Sequence, residues 1–228
     1  MEKITIVNLI DFRRKNNKTR ITYMNNLKKK DFPDIEKEND STGDYWISCT
    51  SALATIFKTN NKDFIREKNE YLQLKINAAS DLRTKNRFQK NIDLLSRFED
   101  FDFNNIKPDC ELKYLKKSDD KSILKISGLP VYANPSHVFS FSKEEEHEIG
   151  AVWFIAKKDG FSKNELAMFA DVLYRYLSIH YSADYKVNLN YCVAIDVYKT
   201  QYVNYKQILN NDLNSSLEET IDEFMSFL

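Results

Sequence analysis

Between residues 122 and 197 the chain reads as four strands, a helix and one more strand, and no other stretch restricts the possible folds as sharply. Apolar runs at 122–127, 129–134, 137–142 and 150–157 are marked off by Gly128, Pro130, Pro135, Gly150 and Gly160, residues that punctuate strands. In the third run His137, Phe139 and Phe141 share one face and Val138, Ser140 and Ser142 the other, which predicts an antiparallel strand wet on one side. Residues 151–156 are apolar on both faces and predict a central strand. The acidic link between these two, from Lys143 to Glu148, predicts a hairpin loop. Ser162 and Glu165 form a capping box, in which each side chain satisfies an orphan backbone donor. Leu166, Phe169, Leu173, Tyr176 and Leu177 follow at helical spacing, so a helix is predicted over 162–180. In the final run Tyr191, Val193, Ile195 and Val197 share one side. The other carries Cys192, Ala194 and Asp196, small enough for a helix to pack close. Asp196 is thus the one acid expected inside, as a hydrogen-bonded strand-end carboxylate.

Upstream the pattern is helical. Residues 4–10 open a strand or a short helix, with Leu9 and Phe12 favouring the helix. Ile21, Met24 and Leu27 make a narrow apolar stripe on a basic helix over 17–30, and 32–42, with Pro33, reads as a loop. Further helices are predicted to about residue 57 (Trp46, Leu53, Ile56, Phe57 inward), over 62–77, and over 81–98 with Phe88, Ile92, Leu95 and Phe98 on one face. Residues 100–121 connect, with a short strand at 112–115. The fold class is therefore α+β: an N-terminal helical region over 1–121, a small mixed sheet in β-β-β-β-α-β order packed by helices over 122–206, and an acidic C-terminal helix over 207–228, in one compact unit. Hydrophobic residues at 42% and aromatics at 13% supply the core this requires.

Charge is balanced overall, with 34 Lys and Arg against 34 Asp and Glu, but not along the chain. Residues 1–30 hold nine cations, Lys3, Arg13, Arg14, Lys15, Lys18, Arg20, Lys28, Lys29 and Lys30, against Glu2 and Asp11. Residues 207–228 hold five acids and no Lys or Arg. A basic beginning and an acidic end fit a nucleic-acid contact, solvated helix faces, or pairing with each other or with a second copy.

Three cysteines, Cys49, Cys110 and Cys192, show no paired spacing, so neither a zinc site nor a disulfide framework is indicated. The first ten residues lack a signal-peptide core, and no uncharged apolar run approaches the roughly 20 residues that span a bilayer. No membrane association and a cytoplasmic location are the expectations. A glycine-rich phosphate loop, GxSxG and GK[ST] are absent, which disfavours ATP hydrolysis and serine hydrolase chemistry. His137, beside two phenylalanines, reads as a satisfied half-buried imidazole, His147 as a surface residue, and His180 as a helix-end cation.

Helices, antiparallel strands, a helix and a returning strand form an order that resembles the core of the PD-(D/E)XK nucleases. The opening Gly43-Asp44-Tyr45-Trp46 with Ala52-Leu53 resembles the N-terminal helix of some of them. The likeness implies a restriction-endonuclease-like fold over residues 122–197. It also implies an acid ending the second core strand, and an acid, a spacer and a lysine on the third, holding a divalent metal and orienting water. Here the third strand ends Ile155-Ala156-Lys157: the lysine is present, and isoleucine takes the acid's place. Glu148, in the hairpin, is the candidate migrated acid, so Glu148 and Lys157 form the candidate catalytic pair. No cofactor is indicated, and Mg2+ enters only with an active nuclease.

Three readings follow. The first is a nucleic-acid-associated module with a degenerate nuclease-like core, contacting DNA or RNA through Arg13, Arg14, Lys15, Lys18, Arg20, Lys28, Lys29 and Lys30 near Phe12 and Tyr23. The second is an interaction or adaptor protein whose tail helix docks on its own domain, a protein partner or a second copy through Leu217, Ile221, Phe224, Met225 and Leu228. The third is an active metal-dependent nuclease.

Overall fold

The computed structural model describes residues 3–30, 45–116, 122–143 and 146–228. The loop expected at 32–42 lies outside them. The fold is α+β, with two mixed sheets packed by helices.

The first element, β1 (Ile4–Thr5), passes straight into α1 (Ile6–Arg13) through a capping box between Thr5 and Asn8, and α2 (Asn17–Lys30) follows. Three helices come next: α3 (Ile47–Thr59), α4 (Asp63–Ala78) and α5 (Leu82–Ser96). Asp81 caps α5 by accepting from the Thr84 amide at 2.7 Å. A short β2 (Lys113–Leu115) leads to β3 (Ile123–Ile126) and β4 (Leu129–Tyr132), which pair as a tight hairpin. Its two turn residues, Ser127 and Gly128, both adopt positive φ, as the twist of a two-residue hairpin demands.

The main sheet has the order β2-β5-β6-β7-β8, with β5 (His137–Lys143), β6 (Glu146–Ile155), β7 (Lys186–Asp196) and β8 (Gln201–Asn204). Strands β6 and β7 run parallel, joined by α6 (Lys163–Tyr181), and every other pairing in this sheet is antiparallel. Period-two alternation decides which face each side chain meets. Val138, Ile149, Ala151, Cys192 and Ala194 share a core with α6, while Phe139, Val152, Phe154, Val193 and Ile195 share one with α3 and α5. The small face of β7 therefore receives α6. Each large apolar side chain fully buried along α6, such as Leu166, Leu173 and Leu177, contributes about 1.5–3 kcal/mol. At Gly150 an added Cβ would stand 2.8 Å from Tyr191 Cβ and 2.9 Å from the Phe139 ring, so only glycine lets the strands approach at this register shift.

Two local expectations change. The face of β5 predicted to be wet is covered, with Val138 and Ser140 both buried, because helices pack on both sides of the sheet. The link from Lys143 to Glu148 is ladder rather than loop: Lys143, Ser142 and Phe141 pair with Glu146, His147 and Glu148, and only residues 144 and 145 lie outside the described residues.

Helix α7 (Tyr205–Leu209) follows β8, and α8 (Leu217–Met225) closes the chain onto its beginning. Leu217, Ile221 and Phe224 of α8 are fully buried, and the Phe12 ring of α1 meets Phe224 and Phe227 edge-on at 5.1 and 5.3 Å. No helix among the described residues is long and apolar enough to cross a membrane.

Candidate functional site

The basic N-terminal residues are drawn into the fold itself. Arg13 pairs with Glu219 and Thr220 of α8 at 3.1 and 2.9 Å. Arg14 forms a two-pronged pair with Glu165 at 2.6 and 2.7 Å and donates to the Gly160 carbonyl at 2.9 Å. Its hydrogen bond to Glu165 raises the Arg14 guanidinium above its ordinary range. Arg20 is buried; it pairs with Glu223, lies over the Phe12 ring, and donates to the carbonyls of Phe12 and Arg13. Lys28 reaches the Leu228 carbonyl at 2.9 Å, and Lys15 sits 5.1 Å from the Tyr23 ring. Lys18 is exposed on α2, and the side chains of Lys29 and Lys30 lie outside the described residues. The two charged ends therefore pair with each other, and the α8 anchors Leu217, Ile221 and Phe224 dock on the protein's own core. Met225 and Leu228, 38% and 48% exposed, are the outward members of that face.

Glu148 and Lys157 do not meet. Glu148 lies near the start of β6 and Lys157 two residues past its end, so nine residues of extended chain, roughly 30 Å, separate them. Glu148 is 7% exposed and accepts from Asn188 Nδ2 at 2.7 Å. Lys157 instead gives its Nζ to both carboxylate oxygens of Asp11 in α1, at 2.7 and 2.8 Å.

Asp196, fully buried at the end of β7, fixes the loops around that lysine. Oδ1 accepts from the amides of Tyr198 and Lys199 at 2.9 and 3.3 Å, and Oδ2 from the Phe161 amide at 2.8 Å. Gly160 turns here with φ +66°, and an added Cβ would stand 2.5 Å from Asp196 Oδ2. The nuclease likeness implies a metal beside Lys157, and the donors present do not fit one. Both oxygens of Asp11 face the ammonium and both of Asp196 face N–H groups. Among the described residues no group of three or more His, Cys, Asp or Glu could hold an ion.

Lys157 does line a concavity of about 640 Å³ at the carboxyl ends of the parallel pair β6 and β7, where open sheets of this kind place ligands. One wall is α5, which contributes Arg83, Lys90, Asp93 and Leu94, with Arg97 as its C-cap. The turn after β6 gives Lys157 and Lys158, and the turn after β7 gives Tyr198. Tyr45 and Trp46 enter from the start of α3. Three aromatic rings and five cations thus face one carboxylate. Lys158 is exposed and makes no ion pair among the described residues.

Helix α5 also holds the rings in place. Buried Asn91 accepts from the Cys49 amide at 3.0 Å and donates to the Tyr45 carbonyl at 2.8 Å. Arg97 Nη1 donates to the Tyr198 carbonyl at 2.8 Å. The Trp46 ring meets both tyrosines edge-on, 4.6 Å from Tyr45 and 6.2 Å from Tyr198. Sequence reasoning missed this cleft apart from Lys157; Trp46 was read only as an inward helix residue, and it is buried. The one local trace is the seven-residue recurrence of Arg83, Lys90 and Arg97.

Thiol chemistry has no place here. Cys49 is pushed up to about 12 by burial, Cys192 is also raised by burial, and Cys110, exposed, lies outside the cleft. His137 Nε2 lies 2.8 Å from the Ala54 carbonyl and stacks on Phe57, a structural role. Comparison with protein-family models, with curated proteins and with solved structures gives no match for the chain.

Proposed function

We propose that the protein is a nucleic-acid-binding module on a nuclease-like core, which holds its ligand in the cleft beside Lys157 without cleaving it. The observation that carries this reading is the meeting, in one concavity, of two half-buried tyrosines and four cations besides the Asp11-bound Lys157 with a single carboxylate. Cations follow a phosphate backbone, and rings take base faces of any sequence. The nuclease-like label is supported by the order of β5, β6, α6 and β7, an antiparallel pair, a covering helix and a parallel return strand. Binding without turnover is supported by Ile155 in the place of an acid and by Asp11 on the lysine.

The test is fluorescence anisotropy of a labelled single-stranded oligonucleotide at low salt. Saturable binding is expected, weakened roughly tenfold or more when Lys90→Glu and Lys158→Glu are combined. No binding by the wild type, or undiminished binding by the double variant, removes the proposal.

A further inference from the structure

Resting on that reading, we infer that the ligand is a single strand laid along α5, with Tyr45 and Tyr198 as two separate stacking stations. Arg83, Lys90 and Arg97 recur every seven residues and so fall on nearly one stripe of the helix, about 10 Å apart from one to the next. Two of these cations are each matched to a ring. Lys90 Nζ lies 5.9 Å from the Tyr45 ring centroid, and Arg97 Cζ lies 5.7 Å from that of Tyr198. The same unit, one cation over one face of a half-buried tyrosine, is therefore built twice along the wall, so a base would take the other face of each ring. Both units are held from the backbone, Tyr45 by Asn91 and Tyr198 by Arg97.

Both rings are within reach of one short strand. Each meets Trp46, at 4.6 and 6.2 Å, so the tyrosine centroids are no farther apart than the sum of those spacings. Three stacked nucleotides advance on the order of 10 Å at 3.4 Å each. A strand of about four nucleotides reaches both stations, the lower end of the range for single-strand sites. A duplex keeps its base faces inside its own stack and offers neither ring a partner. The concavity of about 640 Å³ has the size of a site for individual bases. Lys158, exposed in the turn after β6, adds a further cation to the same lining.

The experiment is competition against a labelled oligothymidylate by unlabelled thymidylates from the mononucleotide to the octamer, and by a duplex. Affinity is expected to climb steeply to the tetramer and level beyond it, with the duplex roughly tenfold weaker or worse. Tyr45→Leu and Tyr198→Leu each weaken the tetramer roughly tenfold and flatten the climb, while Tyr45→Phe and Tyr198→Phe, which keep the ring, bind like the wild type. A duplex bound as tightly as the single strand overturns the single-strand inference and leaves the nucleic-acid reading standing. A mononucleotide as good as the tetramer overturns the two-station geometry. Failure of both strand forms at low salt removes the underlying reading itself.

Discussion

The carboxylate of Asp11 holds Lys157 Nζ through both oxygens, at 2.7 and 2.8 Å, and so joins the first helix to the end of the central strand. Both side chains are largely covered, with 30% and 16% exposed. The lysine lines the cleft with its charge already balanced by a residue that does not line it. This pair therefore sets how strongly that corner of the cleft attracts an anion.

Asp11→Asn releases the lysine. Binding to a single strand is expected to strengthen, and its salt dependence to steepen by about 0.7 in the log–log slope, one more phosphate contact. Lys157→Ala weakens binding less than Lys158→Ala does. Titrations across a series of salt concentrations check both.

Arg20 carries stability. Its guanidinium is buried against Phe12 and bonded to two carbonyls and Glu223. Arg20→Ala leaves two carbonyls without their donor and a half-exposed Glu223 without its cation, and is expected to cost about 2 kcal/mol in urea unfolding. Lys18→Ala, at an exposed position, stays within about 0.5 kcal/mol.

The Arg14–Glu165 pair makes stability depend on pH. Burial pushes the Glu165 carboxyl up, but hydrogen bonds from Arg14 and Ser162 outweigh it and hold the group below the usual glutamate range. A carboxyl lowered on folding adds stability above its unfolded value, about 4.3, and loses it as pH falls through the folded value. Glu165→Gln is therefore less stable than the wild type at neutral pH. The gap closes in acid, read from urea midpoints between about pH 7 and pH 3.

Thiol titration should find one fast group. Cys49 and Cys192 are buried and raised by that burial; Cys110 is raised as well, by partial burial and then by nearby Asp109 and Glu148, but it alone is exposed. One equivalent reacts with a disulfide reagent in the folded protein at mildly alkaline pH, and three in denaturant. Cys110→Ser removes the fast phase.

Much of the fold can be read in the sequence because its signals are local. The Ser162–Glu165 box starts α6, and the small side of β7 receives it, as alternation alone requires. The start of β7 at Lys186 escaped, since Asn188 and Asn190 break the apolar rhythm while the ladder continues against Glu148 and Ile149. Strand β8 and helix α7 escaped too, although Asn204 and Gln207 form a capping box. The cleft was hidden for another reason. Its rings and cations come from four stretches, Tyr45 and Trp46, the α5 wall, Lys157 and Lys158, and Tyr198, which only the tertiary fold brings together. The charged ends were visible as charges, but their pairing through Arg13 with Glu219 and Arg20 with Glu223 is a property of the packed helices.

The most direct measurement compares the salt dependence of single-strand binding for the wild type, Lys158→Ala and Arg13→Ala. If the cleft is the contact, Lys158→Ala lowers the log–log slope by about 0.7 and Arg13→Ala leaves it unchanged. A slope lowered by Arg13→Ala and untouched by Lys158→Ala would place the ligand on the basic N-terminal helices and contradict the account.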